Sequence, residues 1–505
     1  MVDKYLMALD AGSGSGRCVI VSLDGKKIFT TKKDWSYYTP QGLASSASEF
    51  HPEDFWQIFV DCIHETLQKA GITGRDVLGV SSTSQREGLV VLDKEGTELY
   101  AGPNRDFRAA MEGIFVSNGY GDEIYRRSGH YPSGLFGVAR LLWFKKNKPE
   151  LFARFATMLS INDWVLYRVS GERASEPTNA SETALYDIQK HEWMKDLLPR
   201  LELPDILPPV KNAGTIIGVV TEETAQQTGL KAGTPVVAGA ADTQCGLLGC
   251  GLLQTDEIGA ISGTTTPVQM ITAVPVLDPQ TRTWADPYVV PGKYVLESNS
   301  GGSGSLFQWL RDTMCESEIM KTDPERAYGE MVKIAEKAPP GSMGVMIHSG
   351  VNIFNAKKIG MPLNVFLLGL SPLTDSSGSG KALILRAMLE NFVYGIKANA
   401  NQVFEVLGRQ PTFIGVCGGL SKSDLYNQIM ADVMSLPVKV PVCREGTGVG
   451  CAICAGIGAG QFKDFTEGVK ALVHIERVYE PDANNLSKYK SLYNRWLKSF
   501  LSFSH

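Results

Sequence analysis

The stretch Asp10-Ala11-Gly12-Ser13-Gly14-Ser15-Gly16-Arg17 lies between two short apolar runs, residues 5–10 and 18–23, the second ending at Asp24-Gly25. An apolar run, a Gly/Ser turn and a second apolar run are the pattern of a β-hairpin. This order excludes a dinucleotide-binding fingerprint, whose glycines open a helix and whose third glycine would stand where Arg17 is. A hairpin of this kind is either simply a turn or a phosphate cradle. In the second case glycine N–H groups approach phosphate oxygens closely, beside an Asp10 carboxylate able to hold a hydrated divalent ion. The pattern returns at residues 257–261, Ser262-Gly263-Thr264-Thr265-Thr266 and residues 268–274, which predicts a duplicated domain plan. A boundary within 250–256 precedes the second hairpin and divides the chain almost equally, into domains 1–252 and 253–505.

Outward from the hairpins, residues 51–70 place Phe55, Trp56, Phe59, Cys62, Ile63 and Leu67 at helical spacing, with Pro52 suited to a first turn. A strand over 77–80 is followed by the polar string 81–88 and a strand over 89–92. Helical patterns near 134–146 and 163–169 precede a strand over 235–241, closed by Asp242. The second half holds a Gly/Ser cluster at 298–305, a Ser/Gly loop at 375–380 and a helix over 383–399. A strand over 412–417 then enters Gly418-Gly419 before a helix over 422–434. Alternating strands and helices predict α/β domains with working groups at strand ends.

Composition narrows the function classes. The chain has 505 residues, 43% hydrophobic and 20% charged, with 49 Lys and Arg against 54 Asp and Glu, a formal charge of −5. That balance suits soluble globular domains and offers no basic excess for nucleic acid. The first ten residues lack the features of a signal peptide, and the weakly charged stretch 445–463 is too rich in Gly and Ala to span a membrane. Nine cysteines without framework spacing predict reduced thiols in a cytoplasm.

Several motifs carry less than they suggest. Gly378-Ser379-Gly380-Lys381-Ala382 lacks the first glycine and the hydroxyl residue of a P-loop. Cys451-Ala452-Ile453-Cys454 has no second ligand pair and reads as helix packing. Seven scattered histidines support neither a metal hydrolase nor a catalytic triad. Gln85-Arg86-Glu87 and Asn104-Arg105-Asp106-Phe107-Arg108 follow strand ends, as solvated loops or as groups that grip substrate hydroxyls. Asp242 reads in isolation as a helix N-cap.

Taken together, Asp10 with its hairpin, Gln85-Arg86-Glu87, Asp106, Asp242, the Gly263 hairpin and Gly418-Gly419 resemble the FGGY carbohydrate kinases over nearly the whole chain. Asn162-Asp163-Trp164, Asn179-Ala180-Ser181, Trp309-Leu310-Arg311 and the run through Gln428, Asp432, Glu445 and Gly450 add to the match. The resemblance implies two actin-like (ribonuclease H-like) ATPase domains with an interdomain cleft and a hinge motion. It implies ATP-dependent phosphorylation of a hydroxyl on a small sugar or polyol, with ATP and Mg²⁺ required. Asp242 would be the catalytic base, and Asp10 and Asp242 would face the metal. Gln85, Arg86, Glu87, Asn104 and Asp106 would bind the acceptor. Gly12, Ser13, Gly14, Ser15, Arg17, Gly263, Thr264, Thr265, Gly418, Gly419 and Ser423 would bind the nucleotide. Arg86-Glu87-Gly88, Asn104 and Asp106 favour a linear acceptor of the autoinducer-2 type over xylulose, glycerol or another pentulose or polyol. A non-metabolic ATPase of the actin and Hsp70 kind is the reading from another class. The resemblance leaves a homodimer open.

Overall fold

In the computed structural model, which describes residues 4–314, 323–358, 366–371 and 380–503, the opening hairpin pairs β1 (Tyr5–Ala11) with β2 (Ser15–Ser22). The turn is only Gly12-Ser13-Gly14. β3 (Ile28–Asp34) extends the sheet beyond β2, β4 (Val77–Ser84) lies parallel to β1, and the strand Pro235–Ala241 lies parallel to β4. Counted along the chain, these five strands stand in the order third, second, first, fourth, fifth, with Ile216–Val219 on the outer edge.

The alternation of β1 sends Tyr5, Met7, Leu9 and Ala11 to one face, where they share a core with Phe55, Phe59, Cys62 and Ile63 of helix α1 (Pro52–Ala70). α1 starts where the sequence predicts, at Pro52 with Glu53 and Asp54 in its first turn, and ends at Gly71 in the left-handed conformation (φ 66°). Each of these fully buried aromatic or aliphatic side chains contributes about 1.5–3 kcal/mol.

The other face meets the helix Gly446–Gly458, and there small residues decide the packing. A Cβ on Gly450 would lie 1.9 Å from the carbonyl oxygen of Cys245, and one on Gly249 would lie 1.9 Å from that of Gly446. The two helices, Asp242–Gly249 and Gly446–Gly458, therefore touch backbone to backbone. This is the structural content of the Gly/Ala-rich run, and it places Cys451 and Cys454 in a buried helix, as packing predicts. None of the eight described cysteines is in a disulfide.

β4 departs from expectation. The strand runs four residues into the polar string, as far as Ser84, and Ser81, Ser82, Thr83 and Ser84 are fully buried. Two of the four hydroxyls find local acceptors: Ser82 donates to the Asn162 carbonyl (2.7 Å) and Ser84 to that of Gln85 (2.9 Å).

The second unit repeats the plan. Ile258–Ser262 pairs antiparallel with Thr265–Thr272 and parallel with Ile414–Gly418, which is parallel to Val438–Pro441. With Tyr294–Gly302 beside Thr265–Thr272, the order is again third, second, first, fourth, fifth, with Ile475–Tyr479 on the edge. The Gly/Ser cluster at 298–305 resolves into the end of one strand and the start of the helix Gly304–Met314. The 375–380 loop and the glycine-lysine motif at 378–382 lie outside the described residues up to Gly380, which begins a long helix, Gly380–Leu407. By internal contact the first unit comprises Met1–Thr255, Ile271–Leu296 and Glu445–His474, and the second the remainder. Among the described residues, no helix is long and apolar enough to cross a membrane.

Gly450→Ala is expected to lower stability by about 1–3 kcal/mol or more, because the methyl meets backbone and not a side chain that can move. Urea unfolding should show a lower midpoint at an unchanged slope.

Candidate active site

Three parallel strands of the first unit end at one level. Ala11 of β1 and Ala241 of Pro235–Ala241 both stand opposite Ser84 of β4. That row delivers Asp10 and the hairpin turn, Gln85-Arg86-Glu87, and Asp242 to the carboxyl ends of adjacent strands, where α/β sheets bind ligands.

Asp10 is almost fully buried. It accepts a 2.7 Å hydrogen bond from Arg17, while its Oδ1 atom is buried without a hydrogen-bond partner. Burial pushes its pKa up, and Arg17 opposes that shift. Arg17 is therefore held by Asp10 instead of extending toward a nucleotide on its own. Asp242 is the first residue of the helix Asp242–Gly249 and does not cap it, the N-cap being Ala241; the Asp242 carboxylate accepts from the Thr243 hydroxyl at 3.1 Å. Burial raises its pKa to about 7, with Asp10 adding to the shift and Arg86 opposing it. The carboxylate is thus a far stronger base than an exposed Asp, and it keeps part of its surface open. The Thr447 hydroxyl donates to the Asp242 carbonyl (3.3 Å), tying the helix Gly446–Gly458 to this residue.

The acceptor-binding expectations separate into two groups. Gln85 spends its amide on the scaffold: it donates to the Gly12 carbonyl (3.2 Å) and the Tyr37 hydroxyl (3.0 Å) and accepts from the Asn104 backbone N–H (3.1 Å). Asn104 donates in turn to the Ser13 hydroxyl (3.0 Å). Asp106 is fully buried and saturated: it accepts from Tyr100 (2.5 Å), from Arg108 Nε (2.8 Å) and from the Ser48 N–H (3.2 Å). Both of its oxygens are committed within the protein, so Asp106 orders its loop instead of facing a substrate hydroxyl. Arg86 lies close enough to Asp242 to oppose the rise in its pKa, and Glu87 follows Arg86 in the chain. Glu87 adopts φ 55°, in the left-handed region that side chains avoid, which marks the tight turn that aims this pair. Sequence reasoning missed Trp284, whose ring lies 5.4 Å from the Arg86 guanidinium carbon, and Glu182, whose carboxylate is 3.2 Å from Arg86. Both are far away in the chain, and no local motif marks them.

The phosphate-loop expectations sort similarly. Gly12 donates its N–H to the Ser15 carbonyl (3.1 Å), and Gly263 donates to the Thr265 carbonyl (3.1 Å), so these two amides close their own turns in both units. A Cβ on Gly14 or Gly419 would meet nothing within 4 Å, which leaves open space there. Gly263, Thr264 and Thr265 are exposed. Gly418 has a reason internal to the fold: at φ 96°, its Cβ would lie 2.4 Å from the Ser262 carbonyl oxygen. Ser423 is the N-cap of the helix Asp424–Met434, accepting from the Tyr426 N–H, so its oxygen is spent on the cap.

Comparison with known proteins names this arrangement. The N-terminal domain of the FGGY family of carbohydrate kinases matches residues 5–249, and the C-terminal domain matches residues 259–459. The chain belongs to the FGGY family of carbohydrate kinases. Autoinducer-2 kinase of Escherichia coli strain K12 is 37% identical over 502 residues, covering 97% of this kinase and 93% of that protein. The Salmonella typhimurium protein of the same name is 36% identical over the same shares. In fold, the kinase is similar to the ligand-bound xylulose kinase of Lactobacillus acidophilus (TM-score 0.84, 21% identity, 99% and 98% of the two chains). It is similar also to Plasmodium falciparum glycerol kinase with ADP (TM-score 0.81, 18% identity, 98% of each). Family and fold together make it an ATP-dependent sugar kinase built from two actin-like domains.

Asp106→Ala in this kinase is expected to cost about 3–5 kcal/mol, since it strips a buried partner from Arg108. Chemical unfolding should register that loss, while the acceptor KM of the folded enzyme stays near the parent value.

Proposed function

We propose that this kinase transfers the γ-phosphoryl group of ATP to a hydroxyl of a linear, autoinducer-2-type sugar. The observation that carries the reading is the strand-end row, in which burial and Asp10 raise the pKa of Asp242 and Arg86 opposes them. The 37% identity to autoinducer-2 kinase over 97% of the chain supports the acceptor.

Phosphoryl transfer to an alcohol needs alignment, charge neutralisation and a proton acceptor, with little covalent chemistry from the protein. Asp242 accepts the proton of the attacking hydroxyl as the new O–P bond forms and the bond to the ADP oxygen breaks. Arg86 donates to acceptor oxygens and Glu87 accepts from acceptor hydroxyls, fixing which hydroxyl faces Asp242. Gln85 and Asn104 hold the hairpin turn in register with this pair. In the second unit, Gly263-Thr264-Thr265 and Gly418-Gly419 offer exposed backbone and open space for nucleotide phosphates and adenosine. The residues that would hold Mg²⁺ are Asp10 and Asp242, and the unpartnered Oδ1 of Asp10 fits a hydrated divalent ion. When bound, the ion would neutralise charge on the phosphates.

Asp242→Asn should reduce phosphorylation of linear autoinducer-2 by about 10²–10⁴-fold, while ATP binding measured by calorimetry changes little. Near-parent turnover in this variant would remove Asp242 from the role of base. A panel of acceptors in a coupled ADP-release assay tests the substrate. Autoinducer-2 is expected to exceed xylulose and glycerol in kcat/KM, and the reverse ranking would reassign the acceptor.

A further inference from the structure

Behind Arg86, four distant stretches of chain converge in a closed pocket of charge. His130, Glu182 and Asp286 are buried at 0%, 1% and 0% exposure. Among the described residues, they form the group of His, Cys, Asp or Glu side chains close enough to share an ion. His130 Nε2 is 3.3 Å from Glu182 and 3.3 Å from Asp286, and the other oxygen of Glu182 is 3.2 Å from Arg86. The Ser181 hydroxyl donates to Asp286 at 3.1 Å, and the Trp284 ring packs against both His130 and Arg86.

The backbone is built to allow this meeting. Gly129, at φ 77°, ends helix α2 (Ala110–Ser128), and a Cβ there would lie 1.9 Å from the Ala285 carbonyl oxygen. Glycine thus lets the strand Trp284–Pro287 press against the helix end and brings Asp286 to His130. Glu182 follows the short helix Pro177–Ser181, whose Thr178 hydroxyl accepts from the Ala241 N–H at 2.7 Å. The segment that grips Arg86 is therefore tied to the strand end that carries Asp242.

Charge arithmetic decides what the cluster is. His130 Nδ1 is 3.2 Å from the Ser128 carbonyl, which can only accept, so Nδ1 carries a proton. Nε2 faces two carboxylates, so a neutral ring would set a lone pair against acceptors. A proton there instead gives two cations, Arg86 and His130, against Glu182 and Asp286, with Asp242 a further acid that Arg86 offsets. Burial alone would lower the pKa of His130, but Asp286 and Glu182 outweigh it and raise it to about 9. A divalent cation would have to displace that proton next to a guanidinium, which the ion-paired arrangement disfavours.

We propose that His130, Glu182 and Asp286 are positioning residues that lock the Arg86 guanidinium in its acceptor-binding orientation through a buried ion-pair network. This rests on the reading of Arg86 as an acceptor ligand. Removing His130 leaves two carboxylates competing for Arg86 and draws it away from the substrate. The effect falls on acceptor affinity and leaves nucleotide handling alone.

The experiment measures KM and kcat for linear autoinducer-2 and for ATP in His130→Gln, Asp286→Asn, Arg86→Ala and the Arg86→Ala/His130→Gln double variant. Melting temperatures serve as the folding control, and the near-isosteric Asp286→Asn stands in if His130→Gln does not fold. The expected result is an acceptor KM raised about tenfold in each network variant, with kcat and the ATP KM within about twofold. The double variant should be no worse than Arg86→Ala alone, because both changes act through one guanidinium. An unchanged acceptor KM in the folded network variants, with a raised one in Arg86→Ala, overturns the network and spares the acceptor role of Arg86. An unchanged KM in Arg86→Ala overturns both. Multiplying effects in the double variant, or one equivalent of tightly bound metal in the purified enzyme, also overturns the proposal.

Discussion

Two carboxylates set the terms for this structure. Asp10 and Asp242 end strands that flank the same neighbour, β4, and each raises the free energy of the other's charge. Burial adds to that cost, since a desolvated carboxylate favours its neutral form. The fold answers with one guanidinium for each: Arg17 donates directly to Asp10, and the field of Arg86 steadies Asp242. Neither arginine is free to wander, because each is the counter-charge of a buried acid. The resulting tension raises the pKa of Asp242 and leaves Asp10 with one unpartnered oxygen, the properties on which the proposed phosphoryl transfer rests.

The backbone contact between Asp242–Gly249 and Gly446–Gly458 serves the same end. Helices with ordinary side chains pack with axes 8–10 Å apart. At Gly249 and Gly450 there is no room for a methyl group, and this late stretch of chain closes against the helix that begins at Asp242. Through the Thr447 hydroxyl it also reaches the Asp242 carbonyl. Asp242 is thus held by a stretch some two hundred residues later in the chain.

A division of labour emerges among the polar groups near the strand ends. Gln85, Asn104 and Asp106 spend hydrogen bonds on the protein, and Arg86, buried and paired with Glu182, is followed by Glu87 in the left-handed region. Buried polar groups with full sets of partners rigidify a loop and specify one geometry. Arg86 belongs to both worlds, with Asp242 on one side and the Glu182, His130 and Asp286 network on the other.

Much of this was legible in the sequence because its causes are local. Turn glycines between apolar runs dictate the hairpins at Gly12 and Gly263, the spacing of Phe55, Phe59 and Ile63 dictates α1, and an Asp after a strand marks Asp242. Local patterning also carries the duplicated strand order, since each unit repeats the same succession of elements. Tertiary structure decided what depends on partners remote in the chain. Ser81–Ser84 read as a loop because hydroxyls usually seek water, and only the carbonyls and neighbours supplied by packing let them complete a buried strand. Asp106 and Ser423 read as ligand contacts, yet their oxygens are spent on Tyr100, Arg108 and a helix cap. His130 read as one of several scattered histidines, because nothing along the chain announces that Glu182 and Asp286 will meet it. Local sequence sets backbone preference through sterics and periodicity, but the state of a polar side chain depends on which distant charges and hydrogen-bond partners share its burial.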